Sequence, residues 1–331
     1  MFKKTLSWLL KAGVSGILAF AILTGFCMLY YNVPVHYETL DGATDYSWEK
    51  DKFYSRGTEG FAWGKTNNEG YLNTFDYTEG MNIDILFMGS SHTEAFNTAM
   101  NKSSAAVLGQ LLPDKTVYNI GTSGHTFMVC ADNLENAVNK YKPTKYVIIE
   151  TTNLSYNDKE LQQAIDGTVP ELSSRSGGIV ELLQKNPFLR LMYVQLQNFM
   201  GNDSDSEAAP ASQAANSVGS DEMYDKLLAK LEKTVRDAGA KLIILHHSAL
   251  TLNEDGTASV RNNELRSSFA AACERTGVIF LDMSERFLEC YEEESILPHG
   301  FTNTSVGTGH LNKNGHAMIA ESLYEIIKEA E

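Results

Sequence analysis

Hydroxyl, imidazole and amide side chains gather in four short stretches of this sequence. "DILFMGSSHTEAF", Asp84 to Phe96, runs an apolar stretch into Gly89-Ser90-Ser91-His92-Thr93. "NIGTSGHT" covers Asn119 to Thr126, "ETTNLSYND" covers Glu150 to Asp158, and "GTGHLNKNGH" covers Gly307 to His316. A serine hydroxyl is a weak nucleophile until a base within hydrogen-bond reach takes its proton, and imidazole is the usual base. An oxyanion formed by that attack needs fixed N–H donors, from backbone or from an asparagine amide. The four stretches therefore hold groups that could act as nucleophile, base and N–H donor, widely separated along the chain. His246-His247 invites a metal reading instead. Metal sites need three or four convergent donors, and no His/Asp/Cys cluster occurs at ligand spacing, so no metal and no cofactor is expected.

The elements that must bring these stretches together follow from the hydrophobic pattern. Short apolar runs at Ile83–Met88, Thr116–Ile120, Tyr146–Glu150, Lys241–Leu245 and Val278–Leu281 predict strands. Amphipathic patterns around Thr98–Leu112, Thr126–Tyr141, Asp221–Asp237, Arg261–Arg275 and Lys313–Ala330 predict helices between and after them. Continuous β-branched runs alternating with helices predict an α/β, three-layer α/β/α sandwich on a parallel sheet. In open α/β sheets the loops at the carboxyl ends of the strands build the site. The four chemistry-bearing stretches are such loops.

In this order the stretches resemble the blocks of the SGNH hydrolases, the GDSL-type esterase and lipase superfamily. The resemblance covers roughly residues 82–331 and implies a flavodoxin-like sheet. Gly89-Ser90-Ser91 matches the family's Gly-Asp-Ser block, which makes Ser91 the nucleophile and puts Ser90 where the family has aspartate. The second block points to the Gly124 N–H as an oxyanion donor, with Gly121 as the fallback. The third points to the amide of Asn153, with Asn157-Asp158 ranked second. The N–H of Ser91 completes the hole, and "GHLNKNGH" puts the general base at His310.

The departure is the third triad member. The family places aspartate three residues before the histidine; here that residue is Gly307, and no carboxylate lies between Glu294 and Glu321. The favoured expectation is a Ser–His dyad, with His310 oriented by a backbone carbonyl or by a remote acid such as Glu94. A weak or inactive enzyme is the alternative. Asp282, at another strand end, is either a helix cap or the missing acid by another route. Ser91 as a plain helix cap is the competing structural reading. His92 is expected to line the mouth of the site, and His316 either to support the site residues from behind or to be structural.

The N-terminus divides the chain. Residues 1–11 form a basic tail with Lys3, Lys4 and Lys11, and residues 12–31 carry no charge over about the length that crosses a bilayer as a helix. No small-x-small cleavage pattern follows, so an uncleaved transmembrane signal anchor is expected, basic end in the cytoplasm and the remainder extracytoplasmic. Residues 32–81 read as an irregular juxtamembrane segment. Residues 82–331 read as the SGNH-like domain, with a disordered Ser/Ala/Asp-rich insertion at 202–221. The net charge is -15, and the three lysines of the first 31 residues leave -18 on the rest, which excludes nucleic acid as a partner. Four cysteines make no disulfide framework; Cys273 and Cys290 are the one pair considered.

Together these readings predict a membrane-anchored serine esterase or O-acyltransferase acting on acyl esters, with O-acylated cell-envelope glycans or small esters as substrate. The alternative is a non-catalytic assembly factor that binds a polymer or a membrane-protein partner through the apolar stretch "NPFLRLMYVQLQNFM".

Overall fold

The apolar runs fold as expected into a parallel sheet. The computed structural model describes residues 2–34, 36–37, 47–170, 185–199, 218–260 and 263–330. Five strands, β6 (Ile85–Met88), β7 (Val117–Asn119), β8 (Tyr146–Thr151), β9 (Lys241–His246) and β12 (Ile279–Asp282), pair in the order β12-β9-β8-β6-β7. Every pairing is parallel. This is the flavodoxin-like order, with its switch point between β6 and β8.

Strand periodicity sorts the core into two layers. Ile85, Phe87, Tyr146, Ile148, Ile243 and Leu245 face one side, packed on α3 (Ser104–Leu111), α9 (Ser284–Glu294) and α10 (Lys313–Glu329). Leu86, Met88, Val147, Ile149, Leu242 and Ile244 face the other, packed on α4 (Phe127–Tyr141), α5 (Asp158–Asp166), α7 (Asp221–Asp237) and α8 (Asn263–Thr276). Successive strand residues point to opposite faces, so both cores come from the same strands. Cys273 belongs to one layer and Cys290 to the other, so the sheet separates them. All four cysteines are free thiols, and the 273–290 pair is not made.

The N-terminal helix α1 (Phe2–Tyr30) is long and apolar enough to span a membrane, with mean hydropathy 2.1 over its best window. The described residues within 32–81, expected to be irregular, are organised. β1 (Tyr31–Asn32), β4 (Phe53–Arg56) and β5 (Ala62–Lys65) form an antiparallel sheet in the order β1-β4-β5, and β2 (His36–Tyr37) pairs with β3 (Ser47–Trp48). Strands of two to four residues are too short to show a period, which is why the pattern hid them. The apolar stretch at 186–200 supplies α6 (Pro187–Phe199), which packs on α1 through Phe20 and Phe188. Of the 202–221 insertion, residues 202–217 lie outside the described residues.

Candidate active site

Gly89 ends β6 and turns the chain into α2 (Ser91–Glu94), a single helical turn capped by the Ser90 hydroxyl, which accepts from the His92 N–H. The hydroxyl of Ser91 is therefore free of the capping role, which falls to its neighbour. Ser91 Oγ lies 2.9 Å from His310 Nε2. His310 comes from the loop before α10, 219 residues further along the chain.

The third partner of this pair is Glu59. Its Oε2 lies 2.6 Å from His310 Nδ1, and its Oε1 accepts the His310 backbone N–H at 2.7 Å. Asn97 Nδ2 donates to the same Oε2 at 3.0 Å. Burial pushes the Glu59 pKa up, but the hydrogen bonds and charge of His310, with Arg56 nearby, outweigh it and hold the carboxyl below its ordinary value. An ionised Glu59 fixes the proton on Nδ1 and leaves the Nε2 lone pair for the serine hydroxyl.

Of the two ways to orient His310, a backbone carbonyl or a remote acid such as Glu94, the structure has a remote acid, but it is Glu59 and comes from the segment read as juxtamembrane. The β4–β5 loop carries it, and Asn303 pins that loop by donating to Gly57 O and Gly60 O and accepting from the Gly60 N–H. Gly309 makes room on the other side. It has φ +86°, and a Cβ there would stand 2.3 Å from Glu59 Oε1.

The other acids considered have different work. Glu94 is buried and accepts from Trp48 Nε1, the Ser123 hydroxyl and, at 3.0 Å, the Ser123 N–H. Asp282 pairs with Arg266 at 2.6 Å and accepts from the Ser284 N–H and hydroxyl at the start of α9.

Two oxyanion candidates are narrowed by their hydrogen bonds. The Gly121 N–H already donates to Asn119 Oδ1 at 2.8 Å, so the fallback is spent. Asn157 caps α5 in a capping box with Glu160, which explains the Asn-Asp pair structurally. Gly124 stands exposed at φ +86° in the turn between Thr122 and His125. That turn is tied to the Ser91 loop through Thr122 N–H to Gly89 O, 3.0 Å, and Asn119 Nδ2 to Thr93 O, 2.9 Å. Asn153 follows β8, whose Ile149 is in register with Met88 just before the Ser91 loop. Its Nδ2 donates to Ser155 O at 3.1 Å, which commits one of its two amide protons.

Beneath Ser91 lies a buried polar chain that sequence spacing did not reveal. Glu150 Oε2 accepts from the Ser90 N–H at 2.9 Å, the Ser90 hydroxyl at 2.8 Å and the Thr93 hydroxyl at 3.0 Å. Its Oε1 faces His247 Nε2 at 3.1 Å, within ion-pair reach though poorly aligned for a hydrogen bond. His247 Nδ1 lies 3.2 Å from His299 Nε2. Burial raises the Glu150 pKa, but His247 and the Ser90 donors more than offset it, so the carboxyl sits below its ordinary value.

His92, His247 and His299 bring nitrogen atoms within 4.8 Å of one another, so a His cluster exists where spacing had shown none. Its hydrogen bonds decide how it is used. The Leu311 N–H donates to His92 Nδ1 at 3.2 Å, which puts the His92 proton on Nε2. His247 Nδ1 and His299 Nε2 share one hydrogen bond, while His247 Nε2 and His299 Nδ1 make none. One nitrogen of each ring is thus held by the backbone or by a neighbouring ring. Burial, reinforced by the neighbouring imidazoles, drives the His92 and His299 pKa values well down, so both rings are neutral. His92 is half-buried, and its ring packs 5.1 Å from that of His310. His316 is buried, and its Nδ1 meets the Ser104 hydroxyl at 2.9 Å, a structural role as expected.

No protein-family model matches the chain, and no curated protein matches it. Solved structures do. Among them are LAE5, an alpha/beta hydrolase enzyme from the metagenome of Lake Arreo, Spain, at 18% identity and TM-score 0.41, covering 76% of this chain and 97% of that one. A putative lipolytic protein of the G-D-S-L family from Desulfitobacterium hafniense matches at 13% identity and TM-score 0.38, covering 74% and 99%. A catalytic mutant of Axe2, an acetylxylan esterase from Geobacillus stearothermophilus, matches at 16% identity and TM-score 0.42, covering 76% and 96%. What this chain is similar to in them is the α/β fold.

Proposed function

We propose that this protein is a membrane-anchored serine esterase or O-acyltransferase of the SGNH type, with Ser91 as nucleophile, His310 as base and Glu59 as the orienting acid. The observation that carries the reading is the continuous Ser91–His310–Glu59 chain, 2.9 Å and then 2.6 Å. The alternative of an inactive binding protein rested on the missing aspartate and the Gly-Ser-Ser block; Glu59 beside His310 weighs against the first of these.

The steps follow from the geometry. Ser91 Oγ attacks the ester carbonyl carbon while its proton passes to His310 Nε2. The imidazolium so formed is stabilised by Glu59. The Ser91 and Gly124 N–H groups and the Asn153 amide are the donors for the oxyanion. When it collapses, the alcohol leaves with the proton from His310, and the acyl group stays on Ser91. Water, or the hydroxyl of an acceptor sugar, then attacks the acyl carbon with His310 again as base; the bond to Ser91 Oγ breaks, and Ser91 takes the proton back from His310. The anchor places this chemistry at the envelope, with the domain extracytoplasmic, and O-acylated cell-envelope glycans are the substrates we infer.

A fluorophosphonate probe tests the reading. Ser91 should be labelled in the wild type and not in Ser91→Ala, and His310→Ala should slow labelling by about a thousandfold or more. Absence of Ser91 labelling in folded wild-type protein would refute the enzyme.

A further inference from the structure

The β1-β4-β5 sheet starts where α1 ends, and its register fixes which residues lie at that level. Tyr31 pairs with Arg56, which pairs with Ala62; Asn32 pairs with Ser55, which pairs with Trp63. Phe61 is therefore level with Tyr30, the last residue of α1, and Trp63 with Asn32. Lys65 lies about 13 Å further along from Phe61, at about 3.3 Å per residue.

Phe61 and Trp63 are 60% and 62% exposed, and their rings meet edge to face at 6.1 Å. Two large aromatics in solvent are unusual enough on a strand to ask what covers them. Their level gives the answer, because aromatic side chains gather where a membrane helix leaves the bilayer. The sheet is also locked to the helix end: Ser55 Oγ donates to Met28 O at 3.0 Å, and a Cβ on Gly57 would stand 2.5 Å from the Tyr30 ring.

A second element reaches the same level independently. α6 lies against α1, with Asn186 Nδ2 donating to Thr24 Oγ1 at 3.4 Å and Arg190 Nη1 to Val33 O at 2.6 Å. Met192, Leu196 and Phe199, spaced to share one face of α6, are all exposed.

We propose that Phe61 and Trp63, with the Met192–Leu196–Phe199 stripe, rest in the lipid–water interface of the bilayer that α1 enters, and that this holds the site against the membrane surface. Glu59 is two residues from Phe61, in a loop that Asn303 holds independently of the aromatic pair, so the site lies beside the interface without depending on Phe61 for its geometry. Resting on the esterase reading above, the substrate class is then an acyl ester presented on a membrane-embedded carrier.

The test uses the full chain in phosphatidylcholine nanodiscs, with an environment-sensitive fluorophore on Phe61→Cys or on Lys65→Cys. The wild type, whose four cysteines are buried, gives the labelling background. Doxyl-labelled lipid is expected to quench the probe at 61 and aqueous iodide the probe at 65. Equal iodide quenching at both, or protection of the probe at 61 by xylo-oligosaccharide alone, would overturn the proposal, the latter making the pair a sugar platform. In parallel, Phe61→Ser/Trp63→Ser should lower turnover of octadecyl acetate in vesicles by about tenfold, the equivalent of about 1.4 kcal/mol, and leave p-nitrophenyl acetate turnover unchanged. Equal loss on both substrates would mean a damaged site and would overturn the interfacial role. Quenching reads position alone, so a failure of Ser91 to react with the fluorophosphonate would sink the esterase reading without touching the membrane contact.

Discussion

A single carboxylate decides what the Ser91–His310 pair can do. Without an orienting acid the imidazole is free to hold its proton on either nitrogen; Glu59 removes that choice. Glu59→Gln keeps the shape and discards the charge, so kcat/KM on an acetyl ester should fall roughly 10,000-fold, with secondary structure by circular dichroism unchanged. Wild-type turnover in that variant would show the acid to be idle. Glu150 acts on the other side of Ser91, where one oxygen takes three hydrogen bonds from the Ser90–Thr93 turn. Glu150→Ala leaves those donors buried without an acceptor, at about 1–3 kcal/mol each, so a clear fall in the denaturation midpoint is expected. A midpoint equal to wild type would mean that water replaces the carboxylate fully.

At the scale of elements, the site is built where two sheets meet. The parallel sheet delivers Ser91 from β6, the stretch before α10 delivers His310, and the small antiparallel sheet delivers Glu59. The contact depends on Gly309, whose φ of +86° and missing Cβ let the carboxylate approach. Gly309→Ala should displace Glu59 by a fraction of an ångström to an ångström and lower kcat about 100-fold, with secondary structure by circular dichroism unchanged. Asn303→Ala frees the same loop without touching the acid. It should lower kcat in the same direction, and a variant as active as wild type would show that the loop holds itself.

Across the whole molecule, titration links the site to stability. Burial lowers the pKa of His246 to about 4 and of His316 to about 3, and holds His92 and His299 well down. A histidine with a depressed folded pKa contributes stability that is complete above its unfolded value and is lost as pH falls towards the folded one. Glu59 and Glu150, also lowered, contribute stability that is complete above the ordinary carboxylate pKa and drains away as pH falls below it. The melting temperature should therefore fall as pH drops from about 6.5, the unperturbed histidine value, and fall further below about 4.5. His316→Asn offers an acceptor to Ser104 without a titrating ring and should flatten the first part of that slope. An unchanged slope would remove His316 from the account.

Much of this protein is legible in the residues alone. Apolar runs of strand length between amphipathic ones specify a parallel sheet, because only a strand covered on both faces is apolar without alternation. The order of the loop stretches nominated Ser91 and His310, and the uncharged run at the N-terminus nominated α1. What only the tertiary structure decided depends on contacts between distant residues. Glu59 stands 251 residues from His310 in the chain, in a segment whose strands are too short to leave a period. The partners of Glu150 sit 60 and 57 residues away on a neighbouring loop, and those of His299 on another strand end. Periodicity reports which face of an element is buried; it carries no record of which loops meet above the sheet. The acid that completes the site is found only where the chain has closed on itself.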